Sequence, residues 1–179
     1  ESWRHTLSML TFLRDRKWDY QSVLASFVLA NVDRAINELL DGVPGCASPL
    51  PNGDVRTDWV QAQSDGLPPP SGEGSTLVID ARGFPAEGKS SVSRLLVDAY
   101  AGGWKDFVVY RTRGDRFIGC GLGPESRGVR VDVYGSSGDY LGSGLDGATI
   151  HVHGNAQDQV GQILKSGRLI IFGDVGQTF

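Results

Sequence analysis

The last third of the chain repeats a pattern of apolar and glycine positions every nineteen residues. Gly135, Gly154 and Gly173 each open one copy of the repeat. Apolar residues recur in matching columns, namely Val131, Ile150 and Leu169; Val133, Val152 and Ile171; and Leu122, Leu141 and Val160. A unit this short cannot hold a helix pair, and a fixed period near twenty is typical of solenoids. The repeat therefore predicts parallel strands stacked about 4.7–4.9 Å apart, with the apolar columns inside.

We accordingly expect a mainly β chain, built as a right-handed parallel β-helix with coils of about 19 residues. Residues 148–153 and 168–172 are predicted strands, because apolar positions alternate along them. The first coil begins near Arg111 and is longer: Gly114 aligns with Gly138 at an offset of twenty-four. Its extra residues are expected to form a loop around Pro124–Arg127.

A β-α-β pattern precedes the repeat and is expected to cap its open end. Residues 76–80 and 106–110 have the apolar, β-branched content of strands. Ser90 or Ser91 is a candidate cap for the intervening helix, which should end at Gly102-Gly103. A helical crossover of this kind is typical of neighbouring parallel strands.

The first 75 residues divide into two further segments. Residues 1–42 have helical spacing of apolar positions and are predicted to be a helical docking segment, with Asn31 or Asp33 as the cap of its last helix and Gly42 at its end. Trp3, Trp18 and Tyr20 would pack in a small helical core or against another subunit. Residues 43–75 hold most of the prolines and are predicted to be a Pro/Gly-rich linker. Residues 76–179 then form the cap and the repeat domain.

Composition narrows the classes of partner and compartment. The net charge is −4 and the pI is near 5.3, whereas nucleic-acid-binding proteins typically carry an excess of basic residues. Only two cysteines occur, Cys46 and Cys120, without CxxC spacing, which indicates a reducing compartment and no iron–sulfur cluster held by this chain. No apolar run approaches the roughly eighteen residues of a membrane span. We therefore expect a cytoplasmic protein.

The segment from Gly83 to Ser90 has the spacing GxxxxGKS of a phosphate-binding P-loop. It follows a predicted strand and precedes a predicted helix, which is the context that the motif requires. In such a loop Lys89 would reach the phosphates and Ser90 would bind magnesium. Pro85 removes one main-chain donor, and a single β-α-β unit offers little room for a nucleotide-hydrolase sheet. Nucleotide binding is therefore kept as an alternative.

Two groups of polar residues in the repeat are candidate metal ligands. His151 and His153 flank Val152 and point to one side of a strand, where a solvated or interface pair is favoured over a metal site because no third ligand is near in sequence. Asp139 and Asp158 share a column, with Asp115 as a weaker member. Turn chemistry, in which carboxylates accept corner N–H groups, is favoured over a calcium ladder. No nucleophile–base pair stands out, so we predict no catalytic, cofactor-binding or metal-binding residue.

Residues 135–179, which include the line GNAQDQVGQILKSGRLIIFGD, resemble the glycine-repeat (GXGXG) β-helix domain at the C-terminal end of the glutamate synthase large subunit. The resemblance covers roughly residues 76–179, is specific across two full coils and is absent from residues 1–75. The same domain type occurs as a separate subunit in split glutamate synthases, in N-methylglutamate synthase and in the C subunit of formylmethanofuran dehydrogenase. This sequence looks closest to the separate, glutamate-synthase-like group.

The resemblance implies a scaffold role in nitrogen metabolism, not catalysis by this chain itself. In that family an amidotransferase domain with an N-terminal cysteine releases ammonia, and a barrel domain with FMN and an iron–sulfur cluster uses it. The expected partners are therefore amidotransferase and FMN/iron–sulfur subunits. The family repeat also continues for further coils beyond the point that matches Phe179, so we expect more chain or a partner to cover this end. A scaffold of a formyl-transfer or other redox complex is the alternative.

Overall fold

A computed structural model of the chain describes residues 2–16, 25–43, 57–60, 67–70 and 72–177. The chain divides into two compact units, Glu1–Cys46 and Ala47–Phe179. The first unit is helical and the second contains a parallel sheet with one helix. No helix in the described residues combines the length and apolar character needed to cross a membrane.

The first unit contains two helices, α1 (Ser2–Asp15) and α2 (Ala25–Asp41). Arg14 of α1 donates from Nε to Asp33 of α2 at 2.5 Å, which ties the two helices together. The predicted cap at Asn31 or Asp33 is wrong, because both residues lie inside one continuous helix. The predicted end at Gly42 is confirmed, since its N–H closes the last turn on the Glu38 and Leu39 carbonyls.

Apolar positions of this unit are only partly covered. The buried ones are Leu7, Ile36, Leu40 and Val43, whereas Met9, Phe12, Leu13 and Phe27 are exposed. Trp3 is half-buried and lies under the guanidinium of Arg4, 5.5 Å from the ring centroid. Trp18 and Tyr20, the other two predicted core aromatics, lie outside the described residues.

The second unit is organised by one six-stranded sheet. Its strands are β1 (Thr57–Val60), β2 (Thr76–Asp80), β3 (Asp106–Asp115), β4 (Arg130–Ser137), β5 (Asp146–His153) and β6 (Ser166–Ile171). They lie side by side in chain order, and every neighbouring pair is parallel. Helix α3 (Val92–Ala101) connects β2 to β3, as predicted, and β1 falls within the segment predicted to be a linker.

Strand pairing follows the period of the sequence. Val131 pairs with Ile150 and Val133 with Val152, each nineteen residues apart. Ile150 in turn pairs with Leu169. Between β3 and β4 the offset is twenty-four at Phe107 and Val131, as the longer first copy predicted. The apolar columns of the sequence are therefore lines of neighbouring residues that run across the sheet from strand to strand.

The core lies between one face of the sheet, α3 and the turn segments that follow the strands. Strand residues at alternate positions point into it, including Ile79, Val109, Val133 and Val152. Leu96 of α3 and Trp104 are fully buried in the same cluster. The turn segments contribute the column predicted from the repeat, Leu122, Leu141 and Val160. The indole N–H of Trp104 donates to the Pro68 carbonyl at 3.0 Å.

The predicted mainly β, right-handed β-helix is wrong. In the described part of the chain the strands form one parallel sheet, and the helices have 14, 17 and 10 residues, so the chain is of the α/β type. The β-α-β unit is not a separate cap, because β2 and β3 are members of the same sheet as the repeat strands. A sequence period fixes which residues become neighbours in a ladder. It does not fix how many sheets the chain makes or what share of it is helical.

The glycines that open each repeat are required by contact between main chains. A Cβ on Gly154 would lie 1.8 Å from the Gly135 carbonyl oxygen, and one on Gly173 would lie 2.4 Å from the Gly154 oxygen. Real side chains essentially never approach so closely. We call one copy of the repeat, a strand with the turns that follow it, a row. These three glycines let successive rows pack backbone against backbone at one corner.

Candidate functional site

The main polar cluster of the second unit lies on the face of the sheet opposite the core. Asp132 of β4 is paired in register with His151 of β5, and Tyr134 with His153. Side chains alternate between faces along a strand, so these four residues share one face while Val133 and Val152 point into the core. The nineteen-residue register thus brings a carboxylate and two imidazoles together.

Asp132 is the centre of this cluster. Its Oδ1 lies 3.0 Å from Nδ1 of His151 and 3.4 Å from Nε2 of His153. Arg130 on the same strand donates from Nε to Oδ2 at 2.7 Å and from a terminal nitrogen to Oδ1 at 3.1 Å. Because an ionised carboxylate can only accept hydrogen bonds, both imidazoles donate to it. Asp132 is buried and is surrounded by donors.

These donors set the ionisation of Asp132. Burial acts to raise its pKa, but the hydrogen bonds from His153 and Arg130 and the charge of Arg130 outweigh burial and lower the pKa from 3.8 to about 2. The same ion pair raises the pKa of Arg130. Asp132 is therefore a carboxylate that stays ionised at any physiological pH.

The His153 ring is held on both faces by aromatic rings. It stacks on Tyr134 at 4.5 Å and on Phe172 at 5.2 Å between centroids, with interplanar angles of 19° and 10°. Only 4% of His153 is exposed, so the expectation of a solvated or interface pair is wrong for this residue. His151 is half-buried and makes the shorter contact to Asp132. The stack and the carboxylate together fix the orientation of both imidazoles.

The cluster is an ion-pair network. Within the described ranges, no group of three His, Cys, Asp or Glu side chains is arranged to hold a metal ion. Each imidazole uses one ring nitrogen to donate a hydrogen bond to Asp132. The Asp132 carboxylate thereby links β4 to β5. Asp132 is not among the residues predicted from the sequence, although it stands nineteen residues before His151, in the same column as Ile170.

The column of aspartates has the predicted turn chemistry. The N–H of Asp158 donates to Oδ1 of Asp139 at 3.2 Å, and the N–H of Gln177 donates to Oδ1 of Asp158 at 2.7 Å. Each bond joins residues nineteen apart, so a carboxylate of one row accepts a main-chain donor of the next. Asp115 differs, because it accepts from the Arg113 N–H within its own strand β3, and burial raises its pKa.

Arg116 connects the first row to two neighbouring segments. It forms ion pairs with Glu87 at 2.6 Å and with Asp139 at 3.2 Å. Its guanidinium also lies over the rings of Phe117 and Tyr140, which stack on each other at 5.0 Å. The segment from Gly83 to Ser90 is thereby anchored to the repeat through Glu87.

This segment lies between β2 and α3, where the motif GxxxxGKS should be, but its contacts differ from those of a phosphate loop. The Gly88 carbonyl accepts both the N–H and the hydroxyl of Ser91, at 3.2 and 2.7 Å. Ser91 caps the helix by accepting from the Arg94 N–H at 3.4 Å, so α3 begins two residues after Ser90. Lys89 and Ser90 are exposed. The end of the loop is therefore a turn closed on the Gly88 carbonyl, while Ala86 and Glu87 in its middle are bonded to Arg116.

A second buried carboxylate stands at the end of β2. Asp80 is fully buried and forms ion pairs with Arg82 at 2.5 Å and Arg111 at 3.3 Å. The Arg82 N–H donates to the same carboxylate at 3.1 Å. Arg111 also lies over the Tyr110 ring, 4.8 Å from its centroid. The two arginines neutralise a carboxylate that the adjoining loop would otherwise leave buried and unpaired.

The thiol of Cys120 has a structural contact. It is half-buried and lies 3.0 Å from the Tyr140 carbonyl, and burial raises its pKa. A raised pKa keeps the thiol protonated, which makes it a poor nucleophile or metal ligand. Cys46 lies outside the described residues.

The structure thus brings together His151 and His153 as the sequence predicted, adds Asp132 to them, and assigns Asp139 and Asp158 to turns. The prediction that the chain carries no catalytic or cofactor-binding residue stays a prediction, as does its resemblance to the glutamate synthase repeat family. Comparison with known proteins finds no matching family model, curated sequence or solved structure.

Proposed function

We propose that this chain is a non-catalytic scaffold, as a subunit or a domain, of a glutamate-synthase-like flavin and iron–sulfur oxidoreductase complex. In this role it positions an amidotransferase partner and an FMN-containing partner. The proposal combines the resemblance of residues 135–179 to the glycine-repeat family with the way in which the repeat uses its polar side chains. FMN and the iron–sulfur cluster belong to the partners.

The observation that carries the proposal is that polar side chains of the repeat bind the neighbouring row. Asp132 is bonded to two histidines of the next strand, and Asp139 and Asp158 accept N–H groups nineteen residues ahead. Oδ1 of Asn155 likewise accepts the Asp174 N–H at 2.9 Å. Groups used in this way stiffen a stack of rows. A stiff stack is what a scaffold needs in order to hold other subunits at fixed positions.

The test is isolation of the chain from its native source with an affinity tag, followed by mass measurement of the intact complex. We expect partners with the flavin absorbance of FMN, with non-haem iron and with glutaminase activity. The purified 19.2 kDa chain by itself should show neither flavin absorbance nor iron.

Two outcomes would contradict the proposal. A chain that elutes by itself from native extracts has no complex to organise. A stable complex without flavin or glutaminase activity would instead favour the scaffold of a formyl-transfer or other redox assembly. The control is the same purification with Gly154→Ala, since a collapsed repeat should lose every partner that depends on it.

A further inference from the structure

His151 has a ring nitrogen that the ion-pair network does not use. Its Nδ1 lies 3.0 Å from Oδ1 of Asp132, whereas its Nε2 makes no hydrogen bond within the described residues. Because the ionised carboxylate can only accept, the proton of the neutral imidazole stays on Nδ1 and the lone pair stands on Nε2. An imidazole held in this tautomer offers Nε2 as a base, a metal ligand or a nucleophile.

The three histidines of the chain differ in the two properties that such a nitrogen needs. His5 is exposed, but it has no carboxylate partner in the described part of the chain. His153 contacts Asp132, but it is only 4% exposed and is enclosed by two aromatic rings. His151 combines the contact to Asp132 with a side chain that is 20% exposed. A reactant can therefore reach an oriented ring nitrogen at His151.

Two arginines flank the strand position next to His151. Thr149 stands two residues before His151 on the same face of β5, about 6.6 Å away along the strand. It pairs in register with Arg130 of β4 and with Arg168 of β6. Arg130 uses two N–H donors on Asp132 and keeps the others, and Arg168 forms no ion pair among the described residues. Both arginines are exposed, so both are available to an oxyanion bound near His151.

These surroundings favour a phosphoryl group over a metal ion as the group that His151 binds. A metal ion needs further ligands, and within the described ranges no group of three His, Cys, Asp or Glu side chains is placed to supply them. Two guanidinium groups would also repel a metal ion. A phosphoryl group carries the oxyanions that arginine binds in bidentate geometry.

We propose that His151 is a phosphoryl-accepting residue, modified on Nε2 by a small phosphoryl donor such as an acyl phosphate or a phosphoramidate. The Nε2 lone pair attacks phosphorus and an N–P bond forms. The bond from phosphorus to the leaving group breaks, and its electron pair goes to the leaving group. The Nδ1 proton stays in place, and the ionised Asp132 balances the positive charge that the ring gains. Arg130 and Arg168 bind the phosphoryl oxygens.

In this reaction His151 is the nucleophile and Asp132 is a positioning residue, because it acts only through the imidazole. The strand that carries His151 has a neighbouring strand on both sides, so the site does not involve an edge of the sheet. The inference does not rest on the proposed scaffold function, since it concerns a modification of this chain and not its partners.

The experiment treats the purified full chain with potassium phosphoramidate and maps the modified residue by mass spectrometry at neutral pH. We expect one phosphoryl group on His151 and none on His5 or His153. The label should be lost in mild acid and kept in alkali, as is typical of an N–P bond. His151→Gln should take up no label. The same reaction in urea is the matched control, because unfolding removes both the contact to Asp132 and the burial of His153, so all three histidines should then react alike.

Two further variants separate orientation from anion binding. Asp132→Asn should slow the labelling of His151 by at least about tenfold, because the ring loses both its fixed tautomer and its counter-charge. Nitrogen NMR of the unmodified chain at mildly alkaline pH should show the Nδ1–H tautomer of His151 in the wild type and a mixture of tautomers in Asp132→Asn. Arg168→Gln should raise the phosphoramidate concentration at half-maximal rate by at least about threefold, with little change in the maximal rate.

Arg113→Gln is the control for charge, since it removes an exposed arginine near the other end of β3 and should leave the labelling unchanged. Circular dichroism of each variant confirms that the fold is retained. A folded chain that takes up no label on His151, or that labels His5 at the same rate, would overturn the proposal. Equal labelling rates and equal tautomers in the wild type and Asp132→Asn would also overturn it.

Discussion

Gly154 and Gly88 both stand in glycine motifs of the sequence, yet the structure needs them for different reasons. At Gly154 the neighbouring row approaches so closely that a Cβ would lie 1.8 Å from the Gly135 carbonyl oxygen. At Gly88 nothing lies within 4 Å of a Cβ, and only the positive φ of 98° favours glycine. The first glycine is required by packing between rows, and the second by the conformation of one turn.

The same difference separates the repeat rows from the loop Gly83–Ser90 more generally. Contacts in the rows join residues nineteen apart, such as Asp132 with His151 and Asp139 with Asp158. Several contacts in the loop are local, such as Gly88 with Ser91, and its exposed side chains face solvent. A motif defined by spacing alone therefore carries more structural information when it recurs at a fixed period than when it occurs once.

The largest expected effect is that of Gly154→Ala. Its Cβ meets main-chain atoms that cannot move without separating two rows, so we expect a loss of more than about 4 kcal/mol in the free energy of unfolding, or no folding at all. Gly88→Ala meets no atom and should cost only the strain of positive φ, about 1–3 kcal/mol. Urea unfolding followed by circular dichroism measures both.

Gly72→Ala is the control for this comparison. Nothing lies within 4 Å of its Cβ and its φ is not positive, so the change should be within about 0.5 kcal/mol. Equal losses at Gly154 and Gly88 would show that the rows are not in main-chain contact.

An intermediate effect is expected from Asp132→Asn, which removes a charge bonded across two rows. The pKa of Asp132 is lowered from 3.8 to about 2 on folding, so its ionised form stabilises the native state. This contribution is fully present above about pH 4 and is lost as the pH falls towards about 2. We expect the variant to be less stable by about 2 kcal/mol at neutral pH, and to lose this part of the acid dependence.

The measurement is urea unfolding of both proteins at a series of pH values between neutral and about 2. Asp98→Asn is the control, because that carboxylate forms an exposed i,i+4 pair with Arg94 on α3 and should contribute little. Parallel stability curves for wild type and Asp132→Asn across the acid range would contradict the ion-pair network.

The smallest effect is expected from Lys89→Ala in the loop. Lys89 is exposed, so the free energy of unfolding should change by less than about 0.5 kcal/mol. Calorimetric titration with magnesium and ATP should give no heat in either protein, because the end of the loop is closed on the Gly88 carbonyl and its middle is bonded to Arg116. Heat of binding in the wild type that disappears in Lys89→Ala would instead support the P-loop alternative. The loop would then differ from the repeat rows in binding a ligand, and not only in having local contacts.

Much of the sheet could be predicted because its register repeats in the sequence. The columns Val131–Ile150 and Val133–Val152 became paired residues, and the longer offset between β3 and β4 also followed from aligned glycines. The strand β1 could not be predicted, since Thr57–Val60 has no matching copy and lies among prolines. The cap expected at Asn31 or Asp33 failed because a polar residue inside a helix resembles one at its start; here Asn31 Nδ2 donates to the Phe27 carbonyl, and Asp33 is used by Arg14.

The site was only partly predictable for a similar reason. His151 and His153 were visible as a pair on one strand, but their partner Asp132 stands on another strand and belongs to them only through the register. Burial of His153 depends on Tyr134 and Phe172, which come from two further positions of the same face. Alternation along one strand places side chains on a face. It does not tell how much of that face is covered.

The sequence by itself determined which residues are neighbours across the repeat, because a fixed period of glycine and apolar positions permits only one register with the apolar side chains inside. It also determined the β-α-β connection and the turn role of Asp139 and Asp158. Only the tertiary structure decided that all the described strands belong to one sheet, and that Asp132 binds both histidines. These features depend on burial and hydrogen bonding between different strands. A local sequence pattern does not predict such contacts, because the residues involved are separated along the chain.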